Sequence, residues 1–248
     1  MGRSDIRNAP YGYRARIGYT SPPLTSEVFP FEFYQVAPAG VSLVITTLAI
    51  TVRSAQEVDR SYDISMLAAE QMAEAGCDAI VLGGVPINLA KGAENADAMI
   101  KELSDRLGIP VATSASAQKE AFRLLGCKKL VVAHPYKEED NYRFDDYAQK
   151  FGAEVLGTRA FGSNFNRIGG IPDNAALDMA RDLMKAHPDA DTIMFPSPHW
   201  PVINAIEPLE KEFGVHVMSS IQAILWQALR LAGIKDRIDG FGKLFQEH

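Results

Sequence analysis

The chain has 248 residues, 47% of them hydrophobic and 23% charged, an ordinary globular composition long enough for one sizeable core or two half-size lobes. A formal net charge of −6, with no basic cluster longer than Lys128-Lys129, argues against nucleic acid and anionic membrane and leaves a small molecule as the expected partner. No run approaches the roughly 18 apolar residues of a membrane span, and the opening MGRSDIRNAPYGYRAR lacks the apolar core of a secretory signal, so a cytoplasmic protein is expected.

Short β-branched runs alternate with longer segments of helical period, the pattern of βα units around parallel sheets. Strands are predicted near 16–20, 41–48, 78–83, 109–113, 129–133, 153–157, 191–195 and 215–219. The first runs into a loop, Ser21-Pro22-Pro23. Glu27, Glu32 and the run Lys137 to Asp140 read as solvated helix faces. A helix near 57–75 stops at Gly76 and another near 115–125 stops at Gly126, as C-terminal glycines in the left-handed conformation allow. Cys77 and Cys127 have neither CxxC nor Cys/His ligand spacing and read as buried structural thiols, so no metal is expected. Glycines and asparagines between Thr158 and Ile171 suit a mobile loop over a site, and Pro172-Asp173 opens a helix near 174–187 with an N-cap.

The chain also repeats itself. Asp78, Ile80, Leu82 and Gly84 fall onto Asp191, Ile193, Phe195 and Ser197, 113 residues later, and the same offset lays Arg16 to Pro23 onto Lys129 to Tyr136. A slightly shorter offset pairs LGIPVATS, ending at Ser114, with FGVHVMSS, ending at Ser220. The expectation is an α/β fold of two pseudo-symmetric lobes, each with a four-stranded parallel sheet flanked by helices. The first lobe spans 1–114, completed by the C-terminal helix 220–234, and the second spans 115–219. Ligands of open parallel sheets bind beyond the carboxyl ends of the strands. That rule selects Ser21-Pro22-Pro23, Gly83 to Pro86, His134-Pro135-Tyr136 and Pro196 to His199, with the active site between the lobes.

Neither GxGxxG after the first strand nor GxxxxGK[ST] is present, so no organic cofactor is expected. Gly83-Gly84 reads either as a tight turn or as a place where a ligand approaches the backbone. Ser197 lies between two prolines and His199 follows two residues on; if the segment is extended, both side chains point to one side. His199 then serves as base to a nucleophilic or donor serine, or it caps a helix starting near Trp200. Tyr136 either donates a hydrogen bond to a carboxylate or packs over its own helix. His134 reads as strand-end structure. Val85, Phe161, Phe195 and Trp200 near these loops suggest a ligand that is partly nonpolar.

These loops resemble those of the aspartate/glutamate racemase superfamily, within it the arylmalonate decarboxylase and maleate cis-trans isomerase branch. The similarity covers roughly residues 16–234. It rests on SPP after the first strand, LGG with Gly92 beyond Gly84, TSASA at 113–117, Tyr136 followed by an acidic stretch and Asn141, and SSIQAILWQALRLAG near the end. The resemblance implies a site between two lobes. It also implies a cysteine at each of two equivalent positions in racemases and maleate isomerases, and at the second only, with glycine at the first, in arylmalonate decarboxylases. Here those positions hold Gly84 and Ser197, so both thiols are missing. Val85 and Pro86 stand where the decarboxylase branch uses hydroxyl side chains, and of that hydrogen-bonding set Tyr136 remains.

Three functions follow as expectations. The first is a cofactor-independent lyase or isomerase acting next to a carboxylate or carbonyl of a small organic acid, with Ser197 replacing the usual cysteine and Ser21, Pro22, Pro23, Gly84, Val85, Pro86 and Tyr136 binding substrate. The second is a hydrolase of an acyl or cyclic amide substrate that uses Ser197 and His199. The third is a silent small-molecule-binding relative. A homo-oligomer is compatible with such a fold.

Overall fold

A computed structural model describes residues 10–51, 54–84 and 93–248. Its strands form two separate four-stranded sheets, ordered β2-β1-β3-β4 and β6-β5-β7-β8, and every strand pair is parallel. Each strand predicted from sequence is present, and the two sheets have the same winding, as the repeat requires. By its contacts the chain divides into two compact units, one of residues 1–26, 33–117 and 224–236, the other of residues 27–32, 118–223 and 237–248.

The first unit holds β1 (Ala15–Pro23), β2 (Val41–Ile50), β3 (Ala79–Leu82) and β4 (Val111–Thr113). α1 (Val28–Val36) lies between β1 and β2 in the chain, α2 (Ala55–Glu74) follows β2, and α3 (Ala93–Leu107) precedes β4. β3 is buried along its whole length because it pairs with β1 on one edge and β4 on the other. Ile80 and Leu82 pack with Ala69 and Met72 of α2 and with Leu103 of α3. β1 extends farther than expected: Ser21 and Pro23 are strand residues paired with Thr47 and Ile50, and all of Ser21-Pro22-Pro23 is buried. A bulge in β2 absorbs the register shift, with Ala49 at φ 55, in the left-handed region that non-glycine residues seldom adopt. Proline is tolerated here because β1 has stopped pairing with β3 after Thr20, so no ladder donor is lost on that side.

α4 (Ser114–Leu125) leads to β5 (Lys129–His134), α5 (Tyr142–Gln149), β6 (Glu154–Ala160), α6 (Ala175–Ala186), β7 (Thr192–Phe195), α7 (Ile203–Phe213), β8 (His216–Ser219), α8 (Ser220–Leu231) and α9 (Lys243–Glu247). In the second unit α6 buries Ala176, Met179, Ala180, Leu183 and Met184, one stripe at helical spacing. Its N-cap is Asn174, which makes no side-chain cap bond, so the expected opening cap at Pro172-Asp173 is displaced by one residue and left unused. The expected loop from Thr158 to Ile171 is mostly regular: β6 runs to Ala160, and Phe165–Gly170 form a 3-10 helix.

Corresponding contacts recur at corresponding places in the repeat. Asp78 accepts from the Arg16 N–H at 2.9 Å, while Asp191 accepts from the N–H groups of Lys128 and Lys129, each at 3.1 Å. The main-chain N–H groups of the same two aspartates donate to the carbonyls of Arg16 and Lys129. Thr113 and Ser116 cap α4 reciprocally, and Ser219 and Gln222 cap α8 in the same way. Gly76 and Gly126, the expected helix stops, have φ 80 and 68. Cys77 and Cys127 are buried, and burial pushes their thiols up to about 12 and about 11.

Candidate active site

In the first unit, Gly83 and Gly84 follow β3 directly. The Gly83 N–H donates to both the carbonyl oxygen (3.0 Å) and the hydroxyl (2.9 Å) of Thr20. A Cβ at Gly83 would run into the Thr20 carbonyl oxygen, so the close packing of two backbones demands glycine at this position. Gly84 is half-buried at φ 91, a conformation open to glycine and strained for any side chain. Beside them, at the carboxyl end of β1, the Ser21 hydroxyl is fully buried with no partner among the described residues. Val85 and Pro86, expected to bind substrate, and Gly92 lie outside the described residues.

In the second unit, His134 ends β5 fully buried. Its Nε2 lies 2.7 Å from Asn141 Oδ1, so with the amide in that orientation Nε2 carries the proton. Burial holds the imidazole below its ordinary pKa, against the raising effect of Asn141. Tyr136 stacks on His134 with ring centroids 5.8 Å apart, and Phe144 sits 4.5 Å from the His134 ring on the same measure. The N–H groups of Phe161, Gly162 and Ser163 donate to the carbonyls of His134, Tyr136 and Pro135 at 2.8 to 2.9 Å. The segment expected to be a mobile loop therefore pins the backbone that carries Tyr136.

Ser197 and His199 follow β7, both buried. Residues 198 and 199 form a turn, not an extended stretch, so strand-like alternation does not govern where the two side chains point. Between the two residues the His199 N–H donates to Ser197 Oγ at 3.4 Å, a long hydrogen bond from main chain to hydroxyl. The His199 ring meets Phe165 edge-on, 6.5 Å between centroids at 86°. Trp200 is fully buried and edge-on to Phe195 at 5.7 Å. Phe161, expected near the ligand, is 44% exposed.

His199 does not cap the following helix. α7 starts at Ile203 with Val202 as N-cap and no local side-chain cap. Its first N–H groups are met by Glu32 of α1: Oε1 accepts from Val202 at 2.8 Å and from Ile203 at 3.0 Å. Glu32 is 3% exposed, which overturns its reading as a solvated residue, while Glu27 is exposed as expected. Burial pushes the Glu32 carboxyl up to about 7, although both N–H donors pull it down. Sequence reasoning missed this residue because its partners lie 170 and 171 positions away. The one available signal was an acid inside the apolar run FPFEFYQV, of whose aromatic residues Phe29 and Phe33 are buried and Phe31 and Tyr34 exposed.

In the first unit the strand ends supply the buried Ser21 hydroxyl and the Gly84 backbone at positive φ; in the second they supply the buried Ser197 hydroxyl and the stacked rings of His134, Tyr136 and Phe144. Hydroxyl and N–H donors of this kind hold carboxylates and enediolates. Among the described residues no group of three or more His, Cys, Asp or Glu gathers to hold a metal ion, and no helix is long and apolar enough to cross a membrane.

Comparisons with known proteins agree with this architecture. The family model described as arylmalonate decarboxylase matches residues 17–245. Arylmalonate decarboxylase of Bordetella bronchiseptica is 29% identical over 182 residues, 72% of this chain and 75% of that protein. A maleate isomerase of Geobacillus stearothermophilus is 23% identical over 195 residues, 76% of this chain and 77% of its own. Among solved structures, a liganded arylmalonate decarboxylase with a glycine-to-cysteine and a cysteine-to-serine exchange superposes with a TM-score of 0.82 at 24% identity, covering 94% of this chain and all of that one. The chain therefore belongs to the arylmalonate decarboxylase family, and is an enzyme of its lyase and isomerase branch.

Proposed function

We propose that this enzyme decarboxylates a small malonate-type acid bearing an apolar substituent, with Ser197 at the position where relatives use a cysteine. In such a reaction the C–C bond to one carboxylate breaks, CO2 leaves, and the electron pair stays on the remaining carbon as an enediolate. A proton then adds to that carbon. The observation that carries the proposal is the setting of Ser197: buried after β7, its oxygen accepts from the His199 N–H, and among the described residues its own O–H meets no acceptor. A hydroxyl held this way is oriented to donate to a developing oxyanion or to relay a proton from water. Glycine at 84 favours the decarboxylase pattern over an arrangement with two acid groups, because it offers a backbone N–H and no proton. An alkanol is far less acidic than a thiol, whose pKa is about 8.5, so turnover should be slow. Tyr136 and Ser21 are the further donors assigned to substrate carboxylates, and His199 supports Ser197 through its main chain.

Phenylmalonate offered in D2O should yield phenylacetate carrying deuterium at the α carbon, followed by NMR. Ser197→Ala should lower kcat about 100-fold, the effect of removing one oxyanion donor, and Ser197→Cys should raise it above wild type. Conversion of maleate to fumarate without CO2 release would move the assignment to the isomerases. Full kcat in Ser197→Ala would overturn the role given to Ser197.

A further inference from the structure

We infer that Glu32 is a positioning residue for the turn that carries Ser197 and His199. The inference rests on the reading of Ser197 given above and adds the means by which its hydroxyl is held in place.

The turn is anchored at one end by β7, from which Ser197 is separated by Pro196 alone. Trp200, fully buried against Phe195, anchors its middle. At the other end the backbone has little local means of holding itself. Pro201 has no N–H to offer, and Val202 has no side-chain acceptor for the exposed donors of α7. The Glu32 carboxylate supplies that acceptor: its Oε1 alone receives two successive N–H groups, three and four residues beyond His199. Negative charge also suits a helix N-terminus.

This device is expensive for capping alone. A serine at an N-cap does the same work locally, whereas Glu32 buries a carboxylate whose second oxygen, Oε2, has no partner among the described residues. What a local cap does not provide is a fixed distance from the turn to a second helix. A reacting group displaced by about 1 Å loses on the order of 100-fold in rate, so that tether matters where Ser197 must meet a substrate.

Glu210 gives an internal control. It is also a buried carboxylate gripping two N–H groups, those of Val217 (3.3 Å) and Lys243 (2.9 Å), but it sits near the far end of α7. A purely structural account treats the two acids alike.

The test combines amide hydrogen exchange, which needs no substrate, with turnover of phenylmalonate by the full chain. In Glu32→Ala, exchange over 199–204 should rise about 10-fold and kcat should fall about 30-fold with KM within about threefold. Glu32→Gln keeps an oxygen acceptor for both N–H groups and should restore both readings to within about threefold of wild type. Glu32→Asp keeps the charge but is one methylene short, so it should resemble the alanine variant, and it serves should that variant fail to fold. Glu210→Ala should loosen 214–219 and 242–245 while leaving kcat unchanged. Unchanged exchange over 199–204 in both Glu32→Ala and Glu32→Asp, or a loosened turn with wild-type kcat, overturns the inference. Full kcat in Ser197→Ala instead removes the catalytic reading of Ser197, and the exchange result then reports on the tether alone.

Discussion

At residue 32 a buried acid makes stability depend on pH in a direction opposite to that of a salt-bridged carboxylate. Burial raises the Glu32 carboxyl from 4.5 to about 7, and Asp173 adds a smaller push in the same direction. Because the folded pKa lies above the unfolded one, the folded state keeps a proton that the unfolded state has lost. The stabilisation is present below the unfolded pKa and is lost as pH rises through about 7. Linkage puts the full span at about 3 kcal/mol. Glu32→Gln does not titrate, so its stability relative to wild type should improve by roughly that amount between pH 4.5 and pH 8 in urea denaturation. A pH-independent difference between the two proteins would refute the assignment. Gly83 makes a second prediction at this scale. An added methyl meets the Thr20 carbonyl, part of a paired strand that cannot swing aside, so Gly83→Ala should destabilise by about 1–3 kcal/mol in the same assay.

Among the elements, the helices that leave β4 and β8 show how a repeat preserves a function while its residues change. Thr113 with Ser116 and Ser219 with Gln222 are different pairs, yet each side chain reaches the other residue's N–H. Thr113→Ala and Ser219→Ala should each cost about 1 kcal/mol, the usual loss of an N-cap, measured as a shift in the urea midpoint at constant slope. α7 follows a different rule. With Val202 as N-cap it has no such local device, so a Val202→Ser exchange should supply one and soften the effect of Glu32→Ala on exchange over 199–204. Equal exchange in the single and double variants would show that the tether, not the cap, is what the turn lacks.

Across the whole molecule, the matching aspartates test the repeat directly. Asp78 and Asp191 each clasp the start of the first strand of their own sheet. Each exchange to alanine should destabilise by about 1–3 kcal/mol, because it leaves strand-end N–H groups without their acceptor. The two clasps share no partner, so the double variant should add the single effects to within about 0.5 kcal/mol.

Much of this architecture was legible in one sequence. The positions of the strands, the glycine stops of α2 and α4 and the two-fold repeat follow from hydrophobic periodicity and turn chemistry, which act over a few residues or recur at a constant offset, while the family was legible as a resemblance in particular motifs. What escaped were features set by distant partners. Ser21-Pro22-Pro23 read as a loop because proline usually ends a strand, yet a bulge in β2 keeps that segment paired. Thr158 to Ile171 read as a mobile loop from its glycines and asparagines, yet within it the N–H groups of 161–163 are held by the carbonyls of 134–136. Glu32 read as solvated because acids usually are, and only folding brings it to the N–H groups of Val202 and Ile203. The sequence by itself determined the fold, because local propensity and pattern are written residue by residue, and its motifs carried the resemblance to the family. Tertiary structure decided what each site residue touches, because a hydrogen bond joins groups that are close in space however far apart they lie in the chain.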